Sequence, residues 1–343
     1  MLQAARVEPV AGQAGQVRKK WKSKKFGEFK MFTSVKEMIH ACQADNIPVW
    51  ELALRREVEE GEQSREEILQ DMSQKLDVMV AAVERGLEGV RSYSGLSGGA
   101  AKLMEDYRKS GRGLSGDLFL KAISYALAVN EVNAAMGIIC ATPTAGSAGV
   151  VPAILMAVRD QLELSREDQI HYLLTAAAYG LAIGNQTSIA GAEGGCQAEV
   201  GAASAMAAAA LTWAAGGSLE QQASALAMAL MNVLGLVCDP VAGLVEIPCI
   251  KRNAMGAANA LAAAEMALAG SASEIPADEV IEAMGRVGHM LPSALRETAQ
   301  GGIAATKTAK RYAKALKKSK KKYLSEEQML VPGEGGSDAR EAN

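Results

Sequence analysis

Hydrophobic residues recur at helical spacing along most of the chain, and the first half holds the two clearest cases. Ser64 opens the capping-box sequence Ser-Arg-Glu-Glu, which favours a helix start. A second start follows at residues 114–117, where Leu-Ser-Gly-Asp precedes an apolar stretch that runs to about Ala135. The apolar positions that continue the first helix are Ile68, Met72, Met79, Val80, Val83 and Leu87.

Beyond these helices, Ala-rich segments alternate with short blocks dense in Gly, Pro, Thr, Ser and Asn. Neither strict alternation nor runs of β-branched residues appear, so strands are not predicted. The pattern predicts an all-α fold, a helical bundle whose broken helices and Gly/Pro-rich loops converge on one site. The four blocks are Cys140–Gly149, Gly184–Gly195, Cys238–Gly243 and Pro248–Asn253.

The same texture divides the chain into four parts. We expect residues 1–30 to be a flexible basic leader and residues 31–105 to be an N-terminal helical segment that packs on the core. Residues 106–312 contain all four blocks and form the main helical domain. Residues 313–343 are Lys-rich, then polar and Gly-rich, and are expected to be disordered.

Composition narrows the possible partners and compartment. Hydrophobic residues make up 49% of the chain and aromatic residues only 4%, which is typical of closely packed helices with small side chains. A formal net charge of −3 gives no basis for binding nucleic acid or an anionic membrane. Five scattered cysteines are too few for a disulfide framework, and Met1–Gln16 lacks the apolar core of a secretory signal. We therefore expect a cytoplasmic protein without membrane spans.

Three of the cysteines lie in the polar blocks. Cys196 follows Gly194-Gly195, Cys238 precedes Asp239-Pro240, and Cys249 follows Pro248. Each neighbour interrupts a helix, so each thiol is predicted at a turn or helix end, where backbone N–H groups can stabilise a thiolate. A buried, unreactive thiol is the alternative for each cysteine. Zinc usually takes four ligands from closely spaced pairs, whereas three thiolates suit an iron–sulfur cubane with one iron lacking a protein ligand.

Polar residues in the same blocks are candidates for binding a small anionic substrate. The loop after Cys140 is rich in hydroxyls and backbone N–H groups, which suit a carboxylate, although a helix-capping turn is the alternative. Two cations follow Cys249 and could offset cluster or carboxylate charge. The candidates are Thr142, Thr144, Ser147, Asn185, Ser188 and Asn253 for substrate binding, and Lys251 and Arg252 for catalysis.

These blocks resemble the alpha subunit of the iron–sulfur-dependent L-serine dehydratases. The likeness runs from about Met31 to Thr306, and its most specific element is the joint pattern GGCQ, CDPVAGL and PC followed by RN. The matching segments are 116–149 (ending CATPTAGSAG), 191–205 (GAEGGCQAEVGAASA), 236–256 (LVCDPVAGLVEIPCIKRNAMG) and 295–306 (LRETAQGGIAAT).

The resemblance implies conversion of L-serine to pyruvate and ammonia by a catalytic helical domain. It assigns Cys196, Cys238 and Cys249 to a [4Fe–4S] cluster, whose unligated iron would polarise the substrate hydroxyl. The chain departs from the family at Lys307, where a proline is usual. It also lacks any cysteine after Cys249, whereas single-chain members end in a cysteine that can reach the cluster.

A general base is missing from the blocks. His40, His171 and His289 all lie outside them, and His171 is interpreted as a helix-surface residue. Two-chain members of the family pair this subunit with a beta subunit that carries histidine-containing motifs. We therefore expect a beta subunit to supply the base across a shared interface.

Three other readings remain open. A related cluster lyase could act on L-cysteine or another small hydroxy acid. A pyridoxal-phosphate dehydratase would need a Schiff-base lysine near a Gly-rich phosphate cup, and no lysine lies inside Cys140–Gly149 or Gly184–Gly195. A helical scaffold without catalysis would hold no iron.

Overall fold

The computed structural model describes residues 32–330, so the predicted leader and residues 331–343 lie outside the described part. Thirteen helices occupy this part and no strand does, which confirms the all-α prediction. Only two isolated backbone bridges occur there, Arg91 with Gly98 and Cys238 with Arg296. The helices are α1 Val35–Asp45, α2 Val49–Glu60, α3 Arg65–Glu88, α4 Ala100–Lys109, α5 Asp117–Ala134, α6 Val150–Val158, α7 Arg166–Gln186, α8 Gly191–Gly194, α9 Ala202–Ala214, α10 Leu219–Met231, α11 Cys249–Leu268, α12 Ala277–Met290 and α13 Lys307–Leu330.

Both helix starts anticipated from local sequence are confirmed. Ser64 caps α3, since its hydroxyl accepts from the Glu67 N–H and the Glu67 carboxylate accepts from the Ser64 N–H. Helix α5 begins at Asp117 and ends at Ala134. These boundaries are set by contacts within a few residues, which is why the sequence reveals them.

Helix α9 lies at the centre of the bundle and packs against α6, α7, α10 and α11. Residues 202–212 are all buried, and most of them are alanine. Alanine lets neighbouring helix axes approach closely and costs no side-chain entropy. The small side chains therefore build a dense core around one axis.

The site lies at one end of this core, where helices stop or break. A π-helical turn, Gln197–Gly201, leads directly into α9. Helix α11 begins at Cys249, and α12 packs on α8, where Gly288 approaches the backbone of Gly194. Broken helices therefore meet at one place, as expected.

The C-terminal part differs from its prediction. Helix α13 covers Lys307–Leu330, so residues 313–330 are helical and not disordered. Lysine, alanine and leucine have high helix propensity, which favours a helix in this Lys-rich segment.

No helix within residues 32–330 is both long and apolar enough to cross a membrane.

Candidate active site

Cys196 is positioned by a break between α8 and α9. Gly195 has φ +77°, and a Cβ there would lie 2.7 Å from a Leu291 methyl carbon and 2.9 Å from the Leu236 oxygen. The buried Gln197 side chain fixes the following turn, because its amide donates to the carbonyls of Gly194 and Met284. The thiol therefore sits at a rigid, buried helix start.

Cys238 lies in a loop that is held from the C-terminal side of the chain. Its N–H donates to the Leu295 carbonyl at 2.9 Å, and its own carbonyl accepts from the Glu297 N–H at 2.7 Å. The LRETAQ segment, one of the four matching segments, thus forms a wall of the site. Cys238 is 3% exposed.

A buried carboxylate, Asp239, and a partly buried guanidinium, Arg252, form an ion pair beside this loop. Arg252 Nη2 lies 2.9 Å from Asp239 Oδ1, and Arg252 Nη1 donates to the Val237 carbonyl at 2.7 Å. Asp239 Oδ2 also accepts from the Ile303 N–H at 2.6 Å. Gly302 has φ +55°, and a Cβ there would lie 2.2 Å from that carboxylate oxygen. The pair joins the Cys238 loop to the start of α11.

Cys249 is the first residue of α11, and Asn253 one turn later ties this helix to the loop in Cys140–Gly149, called the Thr-rich loop below. The Asn253 amide donates to the carbonyls of Gly146 (2.7 Å) and Cys249 (2.9 Å), while its oxygen accepts from the Gly149 N–H (3.1 Å). All polar atoms of this side chain are thus engaged within the protein. In this arrangement Asn253 therefore has no free N–H group to donate to the predicted substrate.

Burial dominates the electrostatics of the three thiols. It raises the pKa of Cys196 to about 11 and that of Cys249 to about 12, and it raises the pKa of Cys238 as well. Cys196 also raises the pKa of Cys238 and Cys249, and Cys249 raises that of Cys238, whereas the Arg252 cation lowers the pKa of Cys196 and Cys249. The expected stabilisation of thiolates at helix ends is outweighed by desolvation, so these thiols need a bound cation to ionise.

A single metal ion and a four-iron cluster require different arrangements of donor atoms. Within residues 32–330, no three His, Cys, Asp or Glu side chains form a group that could hold a metal ion. A four-iron cluster offers a separate iron to each thiolate, so its ligands need not converge on one point. Three buried thiols that influence one another electrostatically fit such a group. The other two cysteines lie apart from them, Cys42 in the core and Cys140 against the Lys75 carbonyl.

Glu199 is a site residue that the sequence reasoning missed. Its Oε1 accepts from the Thr144 hydroxyl at 2.7 Å, and its Oε2 lies 3.8 Å from Cys238 Sγ. Burial raises the pKa of this carboxyl, and the Thr144 hydrogen bond lowers it in part. An available signal was its position three residues after Cys196, inside the matching segment 191–205.

The remaining predicted substrate residues fall into two groups. Thr144 faces the cysteine site through Glu199, whereas Thr142 and Ser147 bond mainly within their own loop. Ser188 accepts from the Ala190 N–H, so its hydroxyl caps a local turn. Asn185 is exposed and lines a separate groove of about 640 Å³ together with Pro143. The structure therefore does not bring Asn185 and the cysteines together.

The histidines and Lys251 remain to be placed. His171 is buried and stacks on Trp50 with ring centroids 3.6 Å apart, so its interpretation as a surface residue is wrong. Helix α2 covers that face of α7, which the sequence of α7 alone cannot reveal. His40, His289 and Lys251 are exposed, and in the described part none of them hydrogen-bonds through its side chain.

Comparison with known proteins matches this site to one family. The family model described as "Serine dehydratase alpha chain" matches residues 44–304, which include all three site cysteines. The chain belongs to the serine dehydratase alpha-chain family. It is 57% identical over 286 residues to the probable L-serine dehydratase alpha chain of Bacillus subtilis, covering 83% of this chain and 95% of that protein.

Two other serine dehydratases delimit the family region. The L-serine dehydratase alpha chain of Peptoniphilus asaccharolyticus is 44% identical over 283 residues, which cover 82% of this chain and 97% of the relative. L-serine dehydratase 1 of Escherichia coli is 38% identical over 281 residues, 80% of this chain but only 61% of that longer protein. The serine dehydratase alpha chain thus corresponds to part of the longer relative.

Proposed function

We propose that this chain is the cluster-bearing alpha subunit of an L-serine ammonia-lyase, which converts L-serine to pyruvate and ammonia. The observation that carries the proposal concerns three buried thiols from distant segments, Cys196, Cys238 and Cys249. They lie within the family-matched region, and Cys196 is close enough to the other two to raise their pKa. The names of the relatives support serine as the substrate.

The three thiols are proposed to hold a [4Fe–4S] cluster. Such a cluster, with one iron free of protein ligands, supplies a Lewis acid that assists departure of the substrate hydroxyl. Ionisation of three buried thiols otherwise costs a large desolvation energy, and this agrees with the raised pKa values of all three cysteines.

Arg252 is proposed to set the charge of the site. It is fixed by Asp239 and by the Val237 carbonyl, and its cation acts on the pKa of Cys196 and Cys249. A fixed guanidinium would balance negative charge at the thiolates without taking part in proton transfer. Lys251 is exposed, and its catalytic role stays a prediction.

The overall reaction removes the α-proton and the β-hydroxyl of serine as water, and the resulting aminoacrylate hydrolyses to pyruvate and ammonia. The base for the α-proton is proposed to come from a beta subunit. This fits the burial of His171 and the exposure of His40 and His289, whose side chains make no described hydrogen bond to the site. The names of the alpha-chain relatives also imply a second chain.

The test measures pyruvate formation anaerobically from L-serine by the iron-loaded chain, alone and with its beta chain. We expect brown iron-loaded protein in both cases and turnover only with the beta chain. L-threonine and L-cysteine, tested alongside, check the substrate assignment. Full activity of the isolated chain would contradict the shared site, and absence of iron would contradict the cluster.

A further inference from the structure

Glu199 is a largely buried carboxylate at the centre of the site. It reaches the Thr-rich loop through Thr144, at 2.7 Å, and the thiol side through Cys238, at 3.8 Å. It therefore lies between the loop expected to meet substrate and the proposed cluster ligands.

The backbone around Glu199 leaves space for its carboxylate. A Cβ at Gly191 would lie 2.4 Å from Oε2, and a Cβ at Gly146 would lie 3.0 Å from Oε1. Both neighbours are glycine, so the backbone approaches the carboxylate closely from two sides. Any side chain at position 191 would have to displace the Glu199 carboxylate.

No cation neutralises this carboxylate within the described part of the chain. The nearby Arg252 is engaged by Asp239 and by the Val237 carbonyl, and Glu297 adds further negative charge next to Glu199. A buried carboxylate without a charge partner is costly unless a ligand supplies one. An amino acid brings the required group, its α-ammonium.

We propose that Glu199, oriented by the Thr144 hydroxyl, binds the α-ammonium group of the amino acid substrate. The inference rests on the proposed function, because it assumes that an amino acid enters this site. It makes Glu199 a substrate-binding residue that selects amino acids over acids lacking the ammonium. The alternative is a structural role in which Glu199 only anchors the Thr144 loop.

Two inert ligands separate these roles. L-alanine and propionate differ only in the ammonium group, and neither carries a hydroxyl to eliminate. Their dissociation constants are measured by anaerobic calorimetry on the iron-loaded complex, for the wild type and Glu199→Gln. Glu193→Gln is the matched control, because Glu193 is exposed on α8.

We expect Glu199→Gln to weaken L-alanine binding at least about tenfold, the effect of losing one charged hydrogen bond, and to change propionate binding less than about twofold. The KM for L-serine should rise in parallel, and Glu193→Gln should behave as wild type. An equal loss for both ligands would indicate only a structural role and overturn the inference.

A second variant keeps the test decisive if Glu199→Gln fails to load iron. Thr144→Val retains the carboxylate and removes its orienting hydroxyl, so L-alanine should weaken more than propionate. Equal weakening would again overturn the inference. A wild-type complex that does not dehydrate L-serine would instead contradict the proposed function, whatever the ratio of the two ligands.

Discussion

The central helix α9 and the layer of loops at its N-terminal end lie next to each other, but α9 buries apolar side chains and the loops bury charged and ionisable ones. Residues 202–212 of α9 are buried and nearly all apolar, and the two hydroxyls among them bond to backbone carbonyls. The loop layer, formed by the segments around Cys196, Cys238 and Cys249, buries Asp239 and the three thiols and partly buries Glu199 and Arg252.

This contrast separates stability from function. Burial of apolar side chains stabilises the fold without specific partners, whereas burial of charges costs free energy that must be offset by pairing or by a ligand. Asp239 and Arg252 are paired with each other, whereas within residues 32–330 Glu199 forms no ion pair and the thiols have only the already paired Arg252 as a cation. The unpaired groups therefore mark where ligands are expected to bind.

The largest effect is expected from breaking the paired part of the loop layer. Arg252→Met would leave the Asp239 carboxylate, 2% exposed, with only the Ile303 N–H, at a cost of about 3–5 kcal/mol in the free energy of unfolding. Urea denaturation measures this. The double variant Asp239→Asn/Arg252→Met should recover much of the loss. A single variant as stable as wild type would contradict the role of the ion pair.

A smaller effect, confined to stability, is expected in the core. Ala207→Leu forces a larger side chain into a fully buried position of α9 and should cost about 1–3 kcal/mol while iron content stays unchanged. Ala262→Leu on the exposed face of α11 is the control and should change stability by less than about 0.5 kcal/mol. Loss of iron in Ala207→Leu without loss of stability would contradict the view that α9 serves stability and the loops serve iron binding.

The smallest effect concerns His171, a titratable group buried away from the site. Burial lowers its pKa below 6.5, so the unfolded chain binds the proton more readily than the folded one. Its contribution to stability is therefore complete above the unfolded pKa of about 6.5 and is lost as the pH falls below it, by at most about 1.4 kcal/mol per pH unit. His171→Phe keeps the stacking on Trp50 and should make the urea denaturation midpoint depend less on pH between pH 7 and 5.5. A variant whose midpoint falls with pH as steeply as that of the wild type would contradict this.

The sequence predicts features that depend on contacts between residues close together along the chain. The starts of α3 and α5 depend on neighbours a few residues away, so the cap at Ser64 and the first turn at Asp117 were predictable. The polar, Gly- and Pro-flanked blocks already suggested that the three cysteines share a site, and the family pattern supported this. Their spatial arrangement depends on tertiary packing, which the local sequence does not specify.

Features that depend on distant contacts were missed for the same reason. Glu199 contacts Thr144 and Gly146 on another loop, and His171 is buried by Trp50 from α2. Substrate binding by Asn253 stays a prediction, and the sequence did not reveal that its amide links α11 to the Gly146 loop. In each case the local sequence does not contain the partner.

The most direct test of the central claim is the iron and labile sulfide content of anaerobically purified Cys196→Ser, Cys238→Ser and Cys249→Ser chains. Cys140→Ser is the control, because that thiol lies apart from the site. We expect near four irons and four sulfides per wild-type and control chain, consistent with the proposed cubane, and loss of most of both in each of the three site variants. Full iron and sulfide in any of the three, with the helical spectrum intact, would contradict the assignment of that cysteine as a ligand.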